Sequence, residues 1–247
     1  MDFGDWEPIY NSIIKDFGFD RKKDEEAATF LDGLLSARDP KAGLTTLEDL
    51  TALVSGKEVL VFGRGPSLVD DIAFVLANGR PKGVLIAADG ATSRLMENGL
   101  VPDIIVTDLD GRVEDQLEQN KKGSIVVVHA HGDNIPALRE WVPRFKRRVM
   151  GTCQCQPVGR LLNFGGFTDG DRSAYMAQSL GASMVVLAGF DHGASRDESM
   201  EVISKRKMRK LDWAFVLLGL LDGRRLRFLR DTEDVMDGIS GGTLRQA

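Results

Sequence analysis

The sequence predicts an α/β protein built on a doubly wound, mostly parallel sheet, with a helical segment before it and a long helix after it. Three observations carry this expectation. Short unbroken apolar runs rich in β-branched residues recur through the middle of the chain, as in strands buried on both faces. Helical stretches alternate with those runs, the pattern of a doubly wound sheet. Strings of glycine and aspartate follow the runs directly, where a parallel sheet presents its ligand-binding edge.

Residues 1–56 read as helical. Pro8 suits a first helical turn, with Ile9, Ile13, Ile14 and Phe17 at helical spacing behind it. A second helix carries Ala27, Phe30, Leu31, Leu34 and Leu35. A third is expected to start at Thr45, with Glu48 completing a capping box, and to stop at Gly56. The strand-like runs then follow at 59–62, 84–87, 104–106, 125–128 and 184–187. Helical stretches lie at 68–78, 92–97, 114–120, 134–141 and 172–180. A long helix is expected over 198–221, stopped by Gly223, before a short strand at 226–229 and a Gly-rich tail. The expected division is a helical segment over 1–56, an α/β domain over 57–195, and a helix and tail over 196–247 packed on that domain.

The 32 Lys and Arg against 37 Asp and Glu, a net charge of −5, argue against general nucleic-acid binding, which needs a surplus of cations. They suit a protein that collects carboxylates around a cation. The only cysteines, Cys153 and Cys155, are two apart and could close only a strained disulfide. With three histidines in all, a zinc site is poorly supplied, and reduced thiols in a reducing cytoplasm are expected. No leader is read at the start of the sequence. The longest apolar run, 213–221, is broken by Gly219 and is far below the roughly 20 residues of a membrane span.

Five motifs converge on one sheet edge: GRGPSL (63–68), ADGA (88–91), TDLDG (107–111), HAHGDN (129–134) and GFDHG (189–193). In GRGPSL, Gly63 and Gly65 permit a tight turn with exposed amides, and Pro66 is suited to open a helix. Gly63, Arg64, Gly65, Pro66 and Ser67 are therefore expected to hold phosphate, unless the turn is an ordinary strand-to-helix connection. Asp108 and Asp110, two apart at a strand end, repel unless a cation lies between them, and all-oxygen ligands suit Mg2+. Asp89 can add a third carboxylate beside the nucleotide, and Asp133 a further one; the alternative is solvated loop acids or helix caps. In GFTDGDR (166–172), Thr168 can hold phosphate, Asp169 or Asp171 can reach metal or nucleotide, and Arg172 can clamp charged oxygens. A capped helix start with Asp171 as N-cap explains the same residues. His131, Asn134 and Asp191 are candidates for substrate contact. The basic runs 144–148, 205–210 and 224–230 read as solvated faces, or else as a phosphate clamp or a subunit contact.

ADGA, PDIIVTDLDG (102–111), HGDN and FTDGDR together resemble the catalytic domain of thiamine pyrophosphokinases. Across nearly the whole chain, from WEPIY and DFGF through GFDHG, the sequence more closely resembles the archaeal 6-hydroxymethyl-7,8-dihydropterin pyrophosphokinases. The resemblance implies a Rossmann-like domain and transfer of a pyrophosphoryl group from ATP to the pterin hydroxymethyl oxygen, with release of AMP, in folate or methanopterin synthesis. It also implies Mg2+, with Asp108, Asp110 and Arg172 in catalytic roles, and ATP and a pterin alcohol as partners, with neither nucleic acid nor membrane; the helical ends could pack a second subunit in a homodimer. Gly111 stands where the thiamine enzymes usually carry Ser, and the region after Asp191 lacks their β-rich domain, which favours the pterin. GxGPSL is shared with bacterial glycosyltransferases, so that turn alone does not separate the two reaction classes.

Overall fold

A computed structural model of the chain describes residues 2–38, 43–79, 83–194, 196 and 201–229. Three helices come first: α1 (Phe3–Phe17), α2 (Arg21–Ser36) and α3 (Leu47–Val54). The α/β portion follows as β1 (Glu58–Phe62), α4 (Leu68–Ala77), β2 (Val84–Ala88), α5 (Ala91–Glu97), β3 (Ile104–Thr107), α6 (Val113–Lys122), β4 (Ile125–Ala130), α7 (Ile135–Trp141) and β5 (Val149–Cys153). It closes with α8 (Asp169–Ser179), β6 (Met184–Ala188), α9 (Lys205–Leu218) and β7 (Leu226–Phe228).

The strands form one seven-stranded sheet in the order β5-β4-β3-β2-β1-β6-β7, and every pairing is parallel. Alternate residues feed opposite layers. Leu60, Phe62, Leu85 and Ile105 pack with α1, α2, α4 and α5, whereas Val59, Val61, Ile86 and Ile104 pack with α3, α8 and α9. Burial on both faces is why these strands read as continuous apolar runs. From β1 the chain winds one way to β5, then returns to lay β6 on the other side of β1. The β1/β6 boundary is therefore the topological switch point, where open α/β sheets leave a crevice at their carboxyl ends.

Several expected boundaries move. Asp2, not Pro8, opens α1: its side chain accepts from the Asp5 amide, and Pro8 lies inside the helix. The capping box of α3 is Thr46 with Asp49, one residue later than expected. Helix α8 starts at Asp169 rather than Arg172, because Thr168 and Asp171 cap it reciprocally. Helix α9 begins only at Lys205, behind a Ser204 cap, since Val202 pairs with Arg196 in an antiparallel bridge, and Gly219 rather than Gly223 ends it. The Gly-rich tail lies outside the described residues. Strand β5 had no clear signal, because Gly151 interrupts it; a Cβ there would meet Leu35 Cδ1 at 2.6 Å and Leu161 Cδ2 at 2.9 Å, so glycine lets α2 lie close on the strand. Among the described residues, no helix is long and apolar enough to cross a membrane.

Trp6 ties the first helix to the functional edge. Its ring is 1% exposed, and its indole N–H donates to the Gln154 carbonyl at 2.8 Å, just beyond β5. Trp6→Ala is expected to cost roughly 3–5 kcal/mol of unfolding free energy by losing a large buried side chain. Urea denaturation of the two proteins checks it; a loss under about 1 kcal/mol would mean that α1 docks without this residue.

Candidate active site

All the expected motifs do fall at the carboxyl edge of the sheet, around one cleft of about 490 Å³. Asp89 follows β2, Asp108 and Asp110 follow β3, and Asp169 opens α8. Carboxylate oxygens of Asp89, Asp108 and Asp169 lie within 4.8 Å of one another. Three separate segments thus bring acids to one point.

Each acid is held differently. Asp89 sits at φ 37°, in the left-handed region that aspartate tolerates better than most residues. Its Oδ1 accepts from Thr107 Oγ1 at 2.7 Å and Gln116 Nε2 at 2.8 Å. Its Oδ2 lies against Gly111, where any Cβ would overlap it, so the Gly in TDLDG makes room for the neighbouring carboxylate. The Asp108 carbonyl accepts from Asn134 Nδ2 at 2.9 Å, and its Oδ2 lies 3.4 Å from His131 Nε2. The Asp133 amide approaches His131 Nδ1 at 3.4 Å, so Nε2 is the ring nitrogen that faces Asp108.

Crowding of carboxylates divides their proton affinities. Burial alone would raise Asp108, but His131, Arg172 and a hydrogen bond with Asp110 outweigh it and hold the group at about 2. Asp110 is pushed up to about 7, first by burial and then by the charges of Asp108 and Asp89. Burial and the Asp108 carboxylate also push Asp169 well above the usual range, although Arg172 opposes them.

The α8 entrance resolves an ambiguity in GFTDGDR. Asp171 turns inward: it accepts from the amides of Phe167 at 2.6 Å and Thr168 at 2.7 Å, and from the Thr168 hydroxyl. Asp169 is the acid that faces the cleft, and Arg172, 5% exposed, bridges it at 2.7 Å while donating to the Phe167 carbonyl at 3.0 Å. Asp171 therefore builds the helix end and does not line the cleft.

GRGPSL departs from the expected nest of exposed amides. The Gly63 amide donates to Ala188 O, that of Gly65 to Gly189 O, and that of Ser67 to Asp191 Oδ2. Strands β1 and β6 are neighbours, so their loops close on each other. The Ser67 hydroxyl also donates toward Asp191 Oδ2 at 2.9 Å, and Gly65 lies against the same oxygen. Asp191 is thus the carboxylate partner of this turn, while Arg64 and Pro66 line the cleft. His131 lines it as well, and Asp133 stands exposed at its rim outside the three-acid group. Asn134 does not reach the cleft: it is buried and fastens the His131 amide, the His129 carbonyl and the Asp108 carbonyl together.

Asp24 and Gln154 are among the cleft residues that the sequence does not single out. Asp24, on α2, accepts from Tyr10 Oη at 2.7 Å, Gln154 Nε2 at 2.8 Å and the Gly132 amide at 2.7 Å. Gln154 follows β5 and lines the same wall. Asp24 did carry a signal: it lies on the buried stripe of α2 with Ala27, Ala28, Leu31 and Leu35, where an acid needs partners.

Residues 39–197 match the family described as 6-hydroxymethylpterin diphosphokinase MptE-like. A 6-hydroxymethyl-7,8-dihydropterin pyrophosphokinase from Methanothermobacter thermautotrophicus is 44% identical over 225 residues, 88% of this chain and 94% of that protein. The proteins of the same name from Methanocaldococcus jannaschii and Pyrococcus furiosus are 40% and 45% identical, over 93% and 77% of this chain and 100% and 78% of their own lengths. Among solved structures, a Maf glycosyltransferase from Magnetospirillum magneticum is 20% identical with a TM-score of 0.47. That alignment covers 81% of this chain and only 42% of the larger protein, a likeness too distant to bear on function. With the family match and three relatives at this identity, the chain belongs to the MptE-like 6-hydroxymethylpterin diphosphokinase family.

Proposed function

We propose that this protein transfers a diphosphate group from ATP to the hydroxymethyl oxygen of 6-hydroxymethyl-7,8-dihydropterin, giving the pterin diphosphate and AMP, with Mg2+ at the acid cluster. The observation that carries the reading is the meeting of Asp89, Asp108 and Asp169 in the cleft of a chain whose relatives bear that enzyme name. The donor set fits the ion. It is all oxygen, three carboxylates from separate segments that meet within 4.8 Å, and carboxylate oxygen is the ligand type that Mg2+ takes. The upward shifts of Asp110 and Asp169, caused first by burial and then by the neighbouring carboxylates, mark a site where added positive charge would be favoured, although Arg172 already offsets part of it at Asp169. When bound, Mg2+ supplies charge neutralisation to the phosphate oxygens being transferred.

The chain's own residues supply position and charge. Arg172 faces the cleft from a fixed place, because Asp169 and the Phe167 carbonyl hold two of its guanidinium nitrogens. His131 steadies Asp108, and Asn134 steadies His131. The nucleotide takes the β1/β6 end, beside Arg64 and Pro66, with Asp191 and Ser67 shaping that turn. The pterin takes the β4/β5 end, walled by His131, Gln154, Asp24 and the rings of Phe19 and Phe167. In the transfer the pterin oxygen bonds to the β-phosphorus, the bond from that phosphorus to the α–β bridging oxygen breaks, and the hydroxyl proton is released. Such loose transition states gain most from positioning and charge, so no dedicated base is required. The direct test follows AMP from ATP and Mg2+ with the pterin alcohol or with thiamine. AMP release with the pterin alone is expected; release only with thiamine would transfer the protein to the other enzyme class, and release with neither would remove the kinase reading.

Metal binding carries a pH signature. Burial and the charges of Asp108 and Asp89 push Asp110 up to about 7 in the folded protein, above the ordinary aspartate value of 3.8. The folded state therefore binds more protons than the unfolded chain between those values. Asp110's contribution to stability is fully present below pH 3.8 and is lost as pH rises through about 7. Mg2+ restores what the ionised acids lose. At about 100 times its Kd the ion should add ~2.7 kcal/mol, roughly 5–10 °C in Tm, at pH 8. The rise should be smaller at pH 5, where the raised carboxyls of Asp89 and Asp169 bind protons that compete with the ion while Asp108 stays ionised. An equal rise at both pH values would separate the ion from these carboxyls.

A further inference from the structure

The basic run over 205–210 does not face bulk solvent only. Arg206, Lys207 and Lys210 line the cleft, on the helical face that continues through Leu211, Ala214 and Phe215. Asp89, Asp108, Asp110 and Asp169 line the same cleft. In a chain of net charge −5, three cations within about one helical turn share a cleft with four aspartates.

Helix α9 is fixed to α1 and α8. Asp16, at the end of α1, accepts from Trp213 Nε1 at 2.8 Å and pairs with Arg209. Tyr175 Oη, on α8, donates to the Leu217 carbonyl at 2.9 Å. Lys210 Nζ stands 5.8 Å from the ring of Phe167, whose carbonyl is held by Arg172, so this cation is close to the entrance of α8. Arg206 lies over Phe19 at 5.3 Å. Flat aromatic contacts of this kind hold cationic heads without neutralising them.

We infer that Arg206, Lys207 and Lys210 form a polyphosphate-binding row, so that α9, which lies outside the matched family span of 39–197, supplies the counter-charge for a nucleoside triphosphate. A ligand that carries oxygens for a metal at the acids and surplus negative charge for the cations satisfies both sets of groups, and a nucleoside monophosphate has fewer phosphate oxygens to divide between them. The inference rests on the nucleotide reading above and deepens it by naming which residues grip the phosphate chain.

The test uses the full-length protein and the variant Arg206→Gln, Lys207→Gln, Lys210→Gln, with binding of ATP, AMP and inorganic triphosphate measured by calorimetry in Mg2+. The variant is expected to bind ATP and inorganic triphosphate about 10²-fold more weakly, because charge-assisted hydrogen bonds are lost, and to bind AMP nearly as before. The salt dependence of triphosphate binding should also flatten. Lys207→Glu alone, at an exposed position, should weaken ATP and inorganic triphosphate by about tenfold, and keeps the test valid if the triple variant folds poorly. Unchanged ATP and triphosphate binding in the folded variants overturns the inference, as does a loss of AMP binding equal to that of ATP. If the parent protein binds inorganic triphosphate through this row but not ATP, the row stands and the choice of donor falls. If it binds neither, both fall.

Discussion

Asp108→Asn is expected to fold like the parent protein and to lose about 10²–10³ of its turnover, the usual effect of removing one preorganised electrostatic group. The substitution keeps the size of the side chain, and the Asn134 contact to its backbone carbonyl is unaffected. What disappears is the charge. Asp108 is the acid of the cluster that stays ionised most easily, at about 2, because His131 and Arg172 overcome its burial. It is also one of the three whose oxygens meet. The Mg2+-dependent rise in Tm should vanish with it, a readout that needs no turnover. Asp110→Asn should be milder, since Asp110, at about 7, is already half protonated near neutral pH and lies outside that three-acid group. If Asp108→Asn retains near-parental turnover and its Mg2+-dependent Tm rise, the metal assignment is wrong. If Asp110→Asn is the more damaging of the two, the metal centre is on the other member of the pair.

That inequality shows what the sequence could and could not convey. The paired acids, the glycine turns and the strand ends were legible because chemistry and position coincide: a run of Val and Ile buried on both faces ends, and a short polar string follows. The convergence of Asp89 with Asp108 followed from strand order alone, since β2 and β3 are adjacent. Asp169 and Asp171 could not be separated by spacing. The separation came from the capping box, in which Asp171 accepts from the Phe167 and Thr168 amides and so turns away from the cleft. The free amides expected of GRGPSL were lost for a related reason. Which loops close on each other depends on β1 and β6 being neighbours, a fact of topology rather than of the motif. Asp24 and Gln154 come from elements far apart in the chain, 130 residues, and meet only once α2 packs on β5.

Gly166→Ala is expected to lower stability by roughly 3 kcal/mol or more, from left-handed strain and overpacking together, and to abolish turnover although the residue donates no side chain. Gly166 adopts φ +88°, and a Cβ there would lie 2.5 Å from Arg172 Cα and 2.7 Å from Arg172 N. Both atoms belong to the backbone of the first turn of α8 and cannot swing away as a side-chain tip can. Relief requires moving that turn, which carries Asp169 into the acid cluster and Arg172 into its bridge. A displacement of about 1 Å in such a group is enough to cost ~10²-fold in rate. Gly33→Ala is the matched control. Gly33 lies in α2 at ordinary φ with nothing within 4 Å of the added Cβ. There the same methyl group should raise stability by about 0.5–1 kcal/mol, by removing backbone freedom from the unfolded chain. Opposite signs for the two glycines, in urea midpoints and in Mg2+-dependent Tm, would place the effect in the α8 entrance rather than in glycine replacement as such. If Gly166→Ala keeps both its midpoint and its Mg2+ response, the close packing of residue 166 on α8 does not set the geometry of the acid cluster.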